Sequence, residues 1–159
     1  MTDNAATASV EAFWLAFCCE RGVDPAARRD VFAFGDSPVL ADELRGCVLQ
    51  GPTRATAGLL LDYEAAGDPL PEAGGYAIVL DGAGRPRCVL RTTEVRVVPF
   101  REVDAAFAWD EGEGDRSLEW WREAHRAYFS RACTRLGREF GEDLPVVLER
   151  FELVWAPTP

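Results

Sequence analysis

The chain has 159 residues, 48% of them hydrophobic and 28% charged. That length fits one domain and that composition a folded soluble protein, so disorder and a disulfide-stapled miniprotein are both excluded. The formal net charge of −10 excludes a protein that coats nucleic acid by neutralising phosphates.

All 17 basic residues are arginine. Arginine suits bidentate recognition of phosphate and carboxylate but stays protonated, so Schiff-base and lysine general-base chemistry are unavailable. Cys18, Cys19, Cys47, Cys88 and Cys133 are odd in number and contain no C-x-x-C pair, and there is one histidine. A zinc cluster is not expected, and the cysteines read as small buried side chains in a reducing compartment. The first residues, MTDNAATAS, lack the basic segment of a secretion signal. The apolar run from Ala12 to Cys19 falls far short of the roughly 20 residues that span a bilayer. A cytoplasmic protein with no membrane partner is expected; the oligomeric state is not legible.

In chain order, Val10, Phe13, Trp14 and Phe17 recur at helical spacing and predict a helix over Ser9 to Arg21, stopped by Gly22. A linking segment follows. Ser37 with Pro38 behind it predicts a cap and first position for a second helix. Leu40, Leu44, Cys47 and Val48 form its apolar face, and Gly51 ends it. Thr56 to Tyr63 reads as a strand, Glu64 to Gly75 as a polar turn region, and Tyr76 to Leu80 as a second strand. After the turn Asp81-Gly82-Ala83-Gly84, Cys88 to Val98 reads as a third strand with Val89, Arg91, Thr93, Val95 and Val97 on one face. A short helix is expected over Glu102 to Phe107, a long one from Leu118 to about Leu136, and a last strand over Val146 to Trp155. Helices and strands do not alternate regularly, which gives an α+β class rather than a doubly wound sheet.

The run Asp110-Glu111-Gly112-Glu113-Gly114-Asp115 places four carboxylates and two glycines in six residues. Such a run reads either as a solvated turn, with Asp115 or Ser117 capping the next helix, or as a site. As a site, Glu113 is a general acid or base whose proton affinity is set by Glu111 and Asp115. Asp110, Glu111, Glu113 and Asp115 together are one way to hold a divalent cation, although no EF-hand spacing is present. His125 falls in the stripe Leu118, Trp121, His125, Tyr128, Ala132, Leu136, on the buried side of its helix. It reads as a core histidine satisfied by a neighbour such as the acidic loop, or as a proton shuttle. Trp120 and Trp121 read as core, while Trp109 in the loop is the tryptophan placed to stack a base.

Four motifs carry a resemblance when read together: FGDSPVLADEL (34–44), GPTRAT (51–56), YAIVLD with PRCVLRTTEV (76–95), and FAWDEGEGDRSLEWWREAH (107–125). Their order and spacing resemble the bacterial ASCH-domain proteins of PUA-like fold, from about Phe32 to Val154. The resemblance implies a small β-barrel with flanking helices over 32–159. Residues 1–31 then form a helical extension packed on it, the whole making a single globular unit. It also implies a cleft for RNA or for a nucleoside or nucleotide-like molecule.

Relatives are credited with RNA cleavage and with amide hydrolysis on acylated cytidine. Those catalytic relatives resemble one another around G-x-K-x-x-T and a later glutamate. Gly51 and Thr56 match the ends of that motif, Thr53 occupies the lysine slot with Arg54 beside it, and Glu113 (or Glu111) stands for the acidic member. The missing lysine weighs against a lysine-dependent mechanism. The expected reading is therefore a binding protein. Arg54 meets an anionic group, Thr56 is a hydrogen-bond donor or nucleophile, and Glu113 is the acid or base. Thr53, Arg91, Trp109, Glu111, Asp115 and His125 line the ligand, and no resident metal or cofactor is required. The alternatives are a ribonuclease or amidohydrolase in the same cleft, and a non-catalytic module whose acidic surface meets a basic partner.

Overall fold

Helix α1 (Thr2–Arg21) opens the chain in the computed structural model, which describes residues 2–34 and 37–157. It begins earlier than Ser9, because Thr2 to Ala8 contains no helix breaker. Then come β1 (Arg29–Ala33), α2 (Pro38–Gln50), β2 (Ala55–Leu59), α3 (Leu60–Ala66), β3 (Tyr76–Leu80) and β4 (Pro86–Pro99). A 3-10 turn (Phe100–Glu102), α4 (Ala105–Glu111), α5 (Leu118–Arg135) and β5 (Pro145–Trp155) complete it. The strand order is β1-β3-β4-β5-β2, with β1 parallel to β3, and with β3–β4 and β2–β5 antiparallel. Among the described residues no helix is long and apolar enough to cross a membrane.

The chain forms two compact units. The first comprises Met1–Gly51, Ala73–Thr92 and Phe151–Pro159; the second comprises Pro52–Glu72 and Thr93–Arg150. In the first, side chains alternate along β3 and β4 and each face buries a different helix. Ala77, Val79, Cys88 and Leu90 pack with Val48 of α2, Phe34 and Phe151. Ile78 and Val89 pack with Trp14, Phe17 and Cys18 of α1 and with Trp155. The cap predicted for α2 is present, the Ser37 hydroxyl accepting from the Leu40 amide at 3.2 Å. Of its expected apolar face Val48 is fully buried, while the side chains of Leu44 and Cys47 lie outside the described residues, as do Gly35 and Asp36 of the motif before it. Cys18, Cys88 and Cys133 are buried free thiols as expected, but Cys19 is exposed.

In the second unit β2 turns Ala55 and Leu59 into a core with Val146, Leu148, Phe100, Phe107, Trp121, Phe129, Ala132 and Cys133. Helix α5 matches its expected span; of its expected stripe Trp121, His125 and Ala132 are buried and Leu118, Tyr128 and Leu136 half-buried, while Phe129 and Cys133 are buried beside them.

Three expectations change. The strand expected over Thr56 to Tyr63 stops at Leu59, and residues 60–66 form α3, which replaces the end of that strand and the first residues of the expected turn region. A short apolar run such as Leu59-Leu60-Leu61 does not distinguish strand from helix by period. Here Gly67 closes a helix in the left-handed conformation, and the Tyr63 ring folds back over Gly58, leaving 3.3 Å for a β-carbon there. The segment taken as a linker contains β1, which has no alternation of its own and is specified by its parallel pairing with β3. The helix expected over Glu102 to Phe107 is shifted to 105–111, because the Asp104 carboxylate accepts from the Phe107 amide at 2.9 Å and sets the start. The shift takes Asp110 and Glu111 out of the loop and into the last turn of α4.

Candidate functional site

The acidic run folds around two glycines, both with positive φ. Gly112 (φ 72°) ends α4, and a β-carbon on it would stand 3.0–3.1 Å from Pro52 and the Thr53 amide. Gly114 (φ 58°) lies flat against the Trp120 indole, 2.2 Å from where a β-carbon would be. No other residue type fits either place without displacement. Arg116 is left-handed as well (φ 65°), and α5 then starts from Ser117, whose hydroxyl accepts from the Trp120 amide at 3.1 Å. Asp115 is exposed and accepts from the Ser117 amide at 2.8 Å, so both residues considered as caps take part.

The two glycine turns direct Glu111 and Glu113 towards His125 of α5. One ligand-type atom from each of the three lies within 4.8 Å of the others. Glu111 is 2% exposed and His125 7%. One Glu111 oxygen accepts from the Trp121 indole N–H, and the other faces His125 Nε2 at 2.8 Å. His125 Nδ1 lies 2.9 Å from the Trp121 carbonyl oxygen. A carbonyl can only accept, so Nδ1 carries a hydrogen and Nε2 is the nitrogen turned to the carboxylates. The Trp121 and His125 rings stack at 4.0 Å and 14°.

Burial and the neighbouring Glu111 carboxylate push Glu113 up to about 7, with His125 pulling the other way. For His125, burial works against the imidazolium, but the charge and hydrogen bond of Glu111, helped by Glu113 and the Trp121 carbonyl, hold its proton affinity above the ordinary histidine value. A carboxyl that titrates near neutrality can give or take a proton at physiological pH.

Around this cluster, the 52–54 loop runs against α4, the Arg54 amide donating to the Asp110 carbonyl at 2.8 Å. Thr53 is 2% exposed and its hydroxyl is buried without a hydrogen-bond partner. The Arg54 side chain is exposed and donates to the Thr53 carbonyl at 2.5 Å. Trp109 is 56% exposed, with the Arg116 guanidinium 3.7 Å over its ring and two Arg116 N–H groups on its carbonyl oxygen at 2.9 and 2.7 Å.

The remaining expected residues are placed differently. Thr56 is half-buried, pairs in register with the buried Glu149, and lies on the other face of β2 from Ala55 and Leu59, which share the core with Trp121. Arg91 belongs to the first unit, exposed on β4 and in register with Tyr76. Of the four carboxylates considered for a cation, Asp110 instead pairs with Arg150 at 2.9 Å and Asp115 faces solvent. His125 replaces them beside Glu111 and Glu113.

Sequence reasoning did not find the Trp121 indole as the group that holds Glu111, although the four-residue spacing from Trp121 to His125 carried that signal. Nothing in the sequence pointed to Arg150, 40 residues from Asp110.

The sequence pattern of the ASCH domain matches residues 30–155. Two crystal structures are similar to the chain at 34% identity. One is a protein from Enterococcus faecalis V583 assigned to the family model DUF984, with a TM-score of 0.84, covering 93% of this chain and 89% of that one. The other is an ASCH domain from Lactobacillus crispatus JV V101, with a TM-score of 0.79, covering 93% and 92%. No curated protein matches. The expected α+β class, a barrel-like sheet with flanking helices, is the fold shared with these structures.

Proposed function

The chain belongs to the ASCH domain family, and on that premise we propose that it binds a nucleoside, a nucleotide or a short single-stranded RNA through its second unit. The observation that carries this reading is the cluster of buried Glu111 and His125 with half-buried Glu113, set in one fold segment with an exposed tryptophan. Trp109 supplies a flat apolar face on which a base stacks, with Arg116 on the ring as a cationic neighbour. Glu113 accepts a hydrogen bond from a base or sugar. Arg54, exposed on the adjoining loop, meets a phosphate or another anionic group. The net charge of −10 favours a small or short ligand over a long polyanion.

The test is a low-salt titration of the full chain with ribonucleosides, an N-acylated cytidine and short single-stranded RNA, followed by tryptophan fluorescence and calorimetry. Saturable binding that weakens about 5- to 100-fold in Trp109→Ala is expected, the range that follows from the cost of losing one stacking ring. Absence of saturable binding to every member of the panel would sink the reading.

A second reading, hydrolysis of an amide or phosphodiester in such a ligand, is favoured by one observation. Glu113 titrates at about 7, where a carboxylate can take a proton from attacking water. In that reading Glu111 and His125 stand behind Glu113 and set its proton affinity. Turnover of a bound panel member that persists unchanged in Glu113→Gln would refute it.

A further inference from the structure

The carboxylates of the 110–115 run have separate fates. Asp110 is neutralised by Arg150 at 2.9 Å, and Asp115 stays in solvent on the Ser117 amide. Glu111 and Glu113 converge on His125 with one donor atom each inside 4.8 Å. Two features of their surroundings describe what such a set holds.

The first is the way the donors are oriented. His125 has its Nδ1 hydrogen on the Trp121 carbonyl, so Nε2 faces the Glu111 oxygen 2.8 Å away. The second Glu111 oxygen is fixed by the Trp121 indole. Two acceptors at that separation require a positive particle, a proton or a metal ion. An imidazole anchored through its other ring nitrogen on a backbone carbonyl, beside a carboxylate that is itself hydrogen-bonded, is the outer-shell pattern of metal-binding histidine.

The second feature is Thr53. Its hydroxyl is buried and unpartnered, and its amide lies 3.1 Å from the β-carbon position of Gly112, the residue between the two glutamates. Orphaned buried hydroxyls are rare and are commonly satisfied by a water or an ion's hydration shell.

We infer that Glu111, Glu113 and His125 form a binding site for a divalent first-row transition cation of the zinc or manganese class. Two carboxylates balance the charge of a divalent ion, and a neutral imidazole completes a three-residue N,O set. Three protein ligands leave an open position for water or a ligand. The set contains no thiolate and too few oxygens for calcium; its imidazole favours zinc over magnesium, and its two carboxylates also suit manganese. In the metal-free protein the shared proton takes the ion's place. The inference does not depend on nucleoside binding, and its test contains no nucleoside.

The experiment uses the untagged full chain stripped with chelator, titrated at pH 7.5 with zinc chloride, manganese chloride and magnesium chloride, each alone. Calorimetry in two buffers of different ionisation enthalpy and thermal unfolding are the readouts. The expected result is saturable binding of about one zinc or manganese ion per chain, a raised Tm, and release of about one proton per ion. Glu113→Gln, shown to be folded by circular dichroism, weakens binding at least tenfold, the loss of one ligand of three. Asp115→Asn, a solvent-facing carboxylate of the same run, leaves it unchanged. No saturable binding by the folded unmodified chain overturns the inference. So does binding that Asp115→Asn weakens as much as Glu113→Gln, or that Glu113→Gln leaves intact.

Discussion

Replacing Glu113 by Gln in chelator-stripped protein should flatten a dependence of stability on pH. Glu113 sits at about 7 in the folded protein against 4.5 for an ordinary glutamate. A group whose folded value is raised binds its proton more tightly when folded. Its stabilising contribution is complete below the unfolded value and is lost as pH rises through the folded one. A single carboxyl with those two values loses about 2.5 kcal/mol of stability between pH 5 and pH 8. Glu113 is only half-buried, so water screening reduces the expected loss to about 1–2 kcal/mol. His125, also raised, acts in the same direction over the upper part of this window. The other strongly shifted groups are quiet there: Asp81, which acts oppositely, titrates at about 2, and the buried Cys88 thiol, which acts in the same direction, is pushed up to about 12. Urea unfolding at pH 5, 6, 7 and 8 supplies the assay. The native sequence should lose stability as pH rises, and Glu113→Gln should lose at least 1 kcal/mol less across the same range. A native stability that is level or rising over pH 5–8, or identical slopes for the two proteins, refutes the assignment of a shared proton to this cluster.

Gly114→Ala should destabilise the protein by about 2–4 kcal/mol in urea unfolding, combining a left-handed alanine with a clash on the Trp120 ring 2.2 Å away. Thr53→Val, which removes a buried hydroxyl that has no partner, should leave metal-free stability level or raise it by up to about 1–2 kcal/mol; a marked loss would show that the hydroxyl is bonded. Asp81→Asn should cost about 1–3 kcal/mol at pH 7, because the buried carboxylate accepts from the Ala83 and Arg85 amides and from the Arg85 and Arg87 guanidinium groups at 2.8–3.1 Å. The Asp81 contribution is present above the ordinary aspartate value and disappears as pH falls through about 2, so the variant should show a smaller loss of stability on acidification below about pH 4 than the native sequence.

The sequence by itself determined the α+β class, the family, helix α5 with its buried stripe, and strands β3, β4 and β5 to within a few residues. These elements carry strong local signals: a 3.6-residue period, runs of β-branched residues, or a serine placed to cap. The sequence also singled out the acidic run and His125 and offered a core histidine satisfied by the acidic loop as one reading, which agrees with the Glu111 oxygen on His125 Nε2. Tertiary structure decided the rest. Strand β1 exists because β3 pairs with it, and the Leu59/Leu60 boundary between strand and helix is fixed by packing of Tyr63 on Gly58. Which carboxylates of the run meet His125, and which are neutralised by Arg150 or left in water, depends on two glycine turns and on partners up to 40 residues away. Local sequence sets backbone preference over a few residues. The proton affinity of a carboxylate depends on what the whole chain folds around it.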